Sequence, residues 1–134
     1  MRILLDTNIL ISASRSEAGT PYQAFRKAVS APNKGVVCGQ IIDEMRRVYI
    51  RKFPTKLDLL EKFLALALTE LEVVGTPAPD MGAEVSIRDV SDRPILRAAV
   101  AAKVDIIVTG DKDFLESGVT KPQILTAADF VRLA

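Results

Sequence analysis

Asp6 directly follows the short apolar run "RILL", and near the other end of the chain the run "IIV" leads into Thr109, Asp111 and Asp113. Two strands that each end in acid suggest a shared site, because open parallel sheets bind ligands beyond the carboxyl ends of their strands, where the winding reverses. Glu44, in the first half of the helical segment "QIIDEMRRVYIRKF", and Asp92, just ahead of "RPILRAAVAAK", can join them there. A crossover helix that follows a strand begins at that same end of the sheet.

Convergence of these acids restricts the chemistry. Two carboxylates roughly 5 Å apart repel by about 3 kcal/mol at an effective dielectric near 20, so a group of four needs a cation or bound protons. The chain has no histidine and one cysteine. Hard oxygen ligands without imidazole or thiolate favour Mg²⁺ or Mn²⁺ over zinc. An incomplete carboxylate shell leaves room for water and a phosphate oxygen, which suits metal-dependent phosphodiester hydrolysis. Asp6, Glu44, Asp92 and Asp111 are the expected metal-binding and catalytic residues. Thr7, Asn8 and Thr109 can support them by holding a carboxylate or a coordinated water without adding charge. Thr7 or Asn8 can equally cap the helix that follows the first strand.

The composition narrows the rest. With 134 residues, 49% of them hydrophobic, the chain is expected to form one domain, 1–134, with a substantial core. Lys plus Arg number 18 against 17 for Asp plus Glu, so any polyanion contact must come from a local patch. The lack of histidine removes histidine triads and histidine-ligated zinc. Cys38, inside "GVVCG", reads as a small buried residue, and a reducing cytoplasm suits it. No secretory leader and no membrane-length apolar run is visible.

The elements that must position the acids follow from periodicity. Strands are expected at Ile3–Leu5, Val36–Cys38, Glu72–Val74 and Asp105–Val108. Helices are expected at about 8–14, 21–30, 41–52, 56–68 and 94–103, the last with Asp92 as N-cap and a proline in its first turn. "TAADFVRLA" reads as a final short helix capped by Thr126, and "GTPAPDMG" as a loop. Short apolar strands alternating with helices imply a three-layer α/β/α sandwich with a central parallel sheet.

Together, "LLDTNIL", "QIIDEMRRVYIRKF" and "RDVSDRPILRAAVAAKVDIIVTGDKDF" resemble the PIN-domain family over nearly the whole chain. They are similar in particular to its prokaryotic VapC-like members, assigned as toxins of toxin–antitoxin pairs. In that resemblance Asp6 is the first metal-binding acid, Asn8 its companion amide, Glu44 the acid on the third helix, Asp92 the acid before a helix and Asp111 the acid after the last main strand. Asp113 is an auxiliary. The resemblance implies Mg²⁺- or Mn²⁺-dependent ribonuclease activity, a homodimer, and a small antitoxin protein whose tail covers the acidic site.

Neighbouring residues carry plainer readings. Asp43 stands about 100° from Glu44 on a helix, so the two cannot both face one site, and the resemblance favours Glu44, leaving Asp43 as a solvated first-turn acid; Asp89 reads as a turn residue or secondary ligand, and Asp105 lies at the wrong end of its strand. The run "RRVYIRKFPTK" supplies Arg46, Arg47, Arg51, Lys52 and Lys56, either a solvated helix face or a track for an RNA backbone. Arg46, Arg93 and Arg97 are the candidate RNA contacts. Tyr49, Phe53 and Phe63 fit packing better than base stacking, and "KLDLLEKFLALALTEL" is apolar enough for a dimer interface as well as the core.

Rival functions are fewer. A haloacid-dehalogenase-type phosphatase needs a second aspartate where Asn8 stands, and a receiver domain needs paired acids at the first strand where only Asp6 is present. A PIN scaffold that binds RNA or a protein without cleaving is the remaining alternative.

Overall fold

The computed structural model describes residues 1–78, 87 and 90–134, the side chain of Ser91 excepted. Five parallel strands, β1 (Arg2–Leu5), β2 (Lys34–Cys38), β3 (Glu72–Val74), β4 (Ile106–Val108) and β5 (Gln123–Leu125), form one sheet in the order β3-β2-β1-β4-β5. The inner strands are apolar on both faces: Ile3, Leu4, Leu5, Val36, Val37, Ile106, Ile107 and Val108 are all buried. A sheet covered on both sides requires this pattern. The edge strands β3 and β5 keep solvent contact along their whole length.

Between the strands run α1 (Thr7–Arg15), α2 (Thr20–Val29), α3 (Gly39–Lys52), α4 (Leu57–Glu70), α5 (Arg93–Ala101) and α6 (Lys112–Leu115), with α7 (Ala127–Arg132) at the end. The steps β1 to β2 to β3 move one way across the sheet and carry α1 to α4. The steps β3 to β4 to β5 move the other way and carry α5 and α6. Right-handed crossovers place these two groups on opposite faces, giving the α/β/α layering. The winding reverses between β1 and β4, which pair Ile3 with Ile106 and Leu5 with Val108.

Each strand and helix expected from periodicity is present, with ends shifted by one or two residues. Two short elements are additional. Strand β5 has three residues, none fully buried, and follows Pro122, so its apolar signal is faint. Helix α6 has four residues and is capped by the Asp111 side chain, which accepts from the Asp113 amide. Helix α3 begins at Gly39, two residues earlier than expected, which moves Asp43 out of the first turn; it remains exposed. Helix α7 is capped by Thr126, as expected, and Lys27 Nζ ties it to α2 by donating to the carbonyls of Phe130 (2.7 Å) and Leu133 (2.6 Å).

Packing of the helices on the sheet is tight at Gly35 in β2, where a Cβ would sit 2.7 Å from Leu71 Cδ2 and 3.0 Å from Val29 Cγ1. Tyr49 is buried, while Phe53 and Phe63 pack against the core partly buried. Asp105 lies at the amino end of the sheet, where its carboxylate accepts from the Arg2 amide at 2.7 Å. Among the described residues no helix is long and apolar enough to cross a membrane. Asp89 and residues 79–82 of the expected loop lie outside the described residues.

Candidate active site

A cleft of about 220 Å³ opens at the carboxyl ends of the strands, lined by Asp6, Thr7, Asn8, Glu44, Val48, Arg51, Lys52, Asp92 and Asp111. It sits at the point where the winding reverses, since Asp6 follows β1 and Asp111 follows β4. The four acids come from four separate segments and meet only through the fold.

Asp6 is the most constrained of them. Its backbone continues the sheet, donating to the Val108 carbonyl at 3.0 Å. Its side chain occupies the N-cap position of α1, so Asp6 itself fills the capping role considered for Thr7 or Asn8. One carboxylate oxygen accepts from the Thr7 amide at 2.8 Å and the other from the Thr109 hydroxyl at 2.7 Å. The residue is only 3% exposed. Burial pushes its pKa up from 3.8 to about 6, opposed by the Thr109 and Thr7 hydrogen bonds and assisted by the negative charges of Glu44 and Asp111. Asp6 is thus mainly ionised at neutral pH, but its charge is held at a cost that a cation would relieve.

The hydroxyls organise the remaining acids. Thr7 Oγ1 donates to Glu44 Oε2, which fixes that side chain over the cleft from α3. Thr109 Oγ1 donates to Asp6 and accepts from the Asp111 amide at 3.0 Å, so one buried hydroxyl links the acids of β1 and β4. Asn8 is exposed and lines the cleft from the first turn of α1.

Asp92 departs from its expected local role. It occupies the N-cap position of α5, but with helical backbone angles (φ −87°, ψ −16°) after a 3-10 turn, and its side chain makes no capping hydrogen bond. The 6% exposed carboxylate lines the cleft instead. Carboxylate oxygens of Asp92, Asp111 and Asp113 lie within 4.8 Å of one another, a spacing suited to one ion. This trio and the cleft-lining set share Asp92 and Asp111, with Asp113 on one side and Asp6 and Glu44 on the other. The all-oxygen donor set and the strained charge on Asp6 fit a hard divalent cation.

The basic candidates are distributed differently. Arg46 turns away and pairs with Glu61 of α4 at 3.1 Å, both ends exposed. Arg93 is half-buried and donates from Nε to the Ile87 carbonyl at 3.0 Å, and Arg97 is half-buried on α5. Among the described residues, the cations that line the cleft are Arg51 and Lys52. Helical spacing could have singled them out, because positions 44, 48, 51 and 52 share a face.

Comparisons with known proteins bear on the family and the fold. A family model described as PIN domain matches residues 2–113. No curated protein sequence matches the chain. A chain in the crystal structure of VapBC2 from Rickettsia felis bound to a DNA fragment from their promoter superposes with a TM-score of 0.69 at 19% identity, over 93% of this chain and 97% of that one. At that identity the likeness concerns the fold.

Proposed function

The chain belongs to the PIN-domain family, and on that premise we propose that it is a Mg²⁺- or Mn²⁺-dependent endoribonuclease, acting as one domain over residues 1–134. The observation that carries the proposal is the meeting of Asp6, Glu44, Asp92 and Asp111 in one cleft at the reversal of the sheet. These four hold the ion or ions, with Asp113 as an auxiliary. A divalent ion held by these residues would supply Lewis acidity, lowering the pKa of a bound water and offsetting negative charge at a phosphodiester.

The chain's own residues prepare that chemistry. Thr109 and the Thr7 amide keep Asp6 ionised and aimed, and the Thr7 hydroxyl orients Glu44. Asn8 offers a neutral amide at the cleft edge for a water or a phosphate oxygen. Arg93 and Arg97 lie on the helix that Asp92 precedes and are the candidates there for balancing the acids, whereas Arg46 is engaged by Glu61 away from the cleft.

The biological role we assign is that of a VapC-like toxin, cytoplasmic and partnered by a small antitoxin protein. The likeness to a chain of VapBC2 supports it. Homodimerisation belongs to the same reading and is supported by α4, which leaves Leu59 42% and Leu66 72% exposed. Purified protein is tested on a pool of labelled RNAs with Mg²⁺, with Mn²⁺ and with chelator, beside Asp6→Asn. Cleavage abolished by both chelator and substitution is expected; a folded, metal-binding protein that leaves the whole pool intact would favour a PIN scaffold that only binds.

A further inference from the structure

Five cations follow Glu44 on α3 and the turn after it: Arg46, Arg47, Arg51, Lys52 and Lys56. Only Arg51 and Lys52 line the acidic cleft. Both are exposed, and neither makes a salt bridge among the described residues, although four carboxylates line the same cavity.

Helices α1 and α3 run side by side from this site. Thr7 bonds Glu44 at their start, Ser14 Oγ and Tyr49 Oη meet at 2.5 Å further along, and the Arg15 guanidinium lies 3.6 Å over the Phe53 ring at the far end. The seam between them therefore begins in acid and ends in three cations. Seven residues separate Glu44 from Arg51, about 10 Å along the helix at 1.5 Å per residue.

A site that bound only a metal ion would be weakened by cations at its mouth. A ligand negative at several regularly spaced points, engaging the metal with one and the cations with the next, would gain from both. We propose that Arg51 and Lys52, with Arg15 behind them, form a backbone-phosphate subsite that holds nucleotides flanking the scissile phosphate of an RNA strand along the α1–α3 seam. This rests on the ribonuclease reading above. Arg51 and Lys52 share the cleft with the acids, so one strand can meet both. Arg51 offers a planar fork for two phosphate oxygens and Lys52 a point charge, so the subsite sets register without reading base identity.

The test uses Arg51→Gln/Lys52→Gln, with Lys34→Gln/Lys62→Gln as a control that removes the same charge elsewhere. Binding of a labelled single-stranded RNA is measured in chelator over a range of salt, and cleavage kinetics with Mn²⁺. The subsite variant is expected to bind about tenfold more weakly and to have a salt slope shallower by about 1.4, from about 0.7 per lost phosphate contact. Its loss is expected in KM, with kcat within about twofold. Mn²⁺ affinity should hold or tighten, and Arg51→Lys/Lys52→Arg should restore binding. Wild-type cleavage with unchanged slope and KM in the variant overturns the subsite and leaves the ribonuclease intact, as does an equal loss in the control. A poly-Glu peptide released by the variant while RNA stays bound overturns it in favour of an acidic protein partner. Wild type that neither binds nor cuts RNA overturns both proposals.

Discussion

Replacing Asp6 by asparagine should make the metal-free protein more stable at neutral pH, the opposite of what removing a well-bonded buried residue ordinarily does. The folded-state pKa of Asp6 is about 6 against an ordinary 3.8. The folded protein therefore holds the proton more tightly than the unfolded chain. Stability from this group is fully present below the unfolded pKa and is lost as pH rises through about 6. A gap of roughly two pKa units corresponds to about 3 kcal/mol. In Asp6→Asn the side-chain carbonyl can still accept from the Thr7 amide, but the side-chain NH2 would face the Thr109 hydroxyl, which already accepts from Asp111. Displacing that hydroxyl proton costs about 1 kcal/mol. The net gain at pH 8 is then about 2 kcal/mol, a rise in Tm of roughly 6 °C for a domain of this size. At pH 4 the charge is gone from both proteins and the variant should be the less stable by about 1 kcal/mol. Urea unfolding of chelator-treated wild type and variant at both pH values is the assay. A stability difference that does not change sign or size between pH 4 and pH 8 would refute the reasoning. The same proton competes with metal, so Mg²⁺ affinity of the wild type should decline as pH falls below about 6.

Three further outcomes can be measured on the same preparations. Thr109→Val removes the hydroxyl that donates to Asp6 and accepts from the Asp111 amide; it should cost about 1–3 kcal/mol and move the loss of metal binding, followed by titration, to higher pH. Gly35→Val drives a branched side chain toward Leu71 Cδ2 and Val29 Cγ1; overpacking should cost about 1–3 kcal/mol in urea unfolding, while a more stable variant would show that α2 and α4 yield readily. Lys103 follows α5 with φ at 56° and donates to the Val100 carbonyl at 3.1 Å; Lys103→Gly should relieve this left-handed position and stabilise by about 1 kcal/mol, read as a higher Tm.

How far the sequence discloses this fold depends on how densely each element carries its own signal. "RILL" and "IIV" are apolar without interruption because the inner strands are covered on both faces, and they announce a parallel sheet. Edge strand β5 and the one-turn helix α6 are stabilised by pairing with β4 and by the Asp111 cap, so no periodic pattern marks them. The acids at strand ends are legible for the same reason the strands are. Asp92 was legible as the residue before a helix, but the 3-10 turn that turns it from cap to cleft residue is a tertiary effect. The choice among cations is the least accessible. Helical spacing puts Arg51 and not Arg46 on the face of Glu44, but that Arg46 is engaged by Glu61 of α4 is a tertiary fact no local pattern shows.

Titration of Mn²⁺ by electron paramagnetic resonance, run on wild type and on Asp6→Asn, Glu44→Gln, Asp92→Asn and Asp111→Asn with RNA cleavage measured in parallel, asks whether four distant acids form one metal-dependent site. Saturable binding in the wild type, weakened in every variant together with cleavage, is the result expected from a shared site. Variants that keep wild-type Mn²⁺ affinity, or that lose the metal and still cut RNA at the wild-type rate, would contradict it.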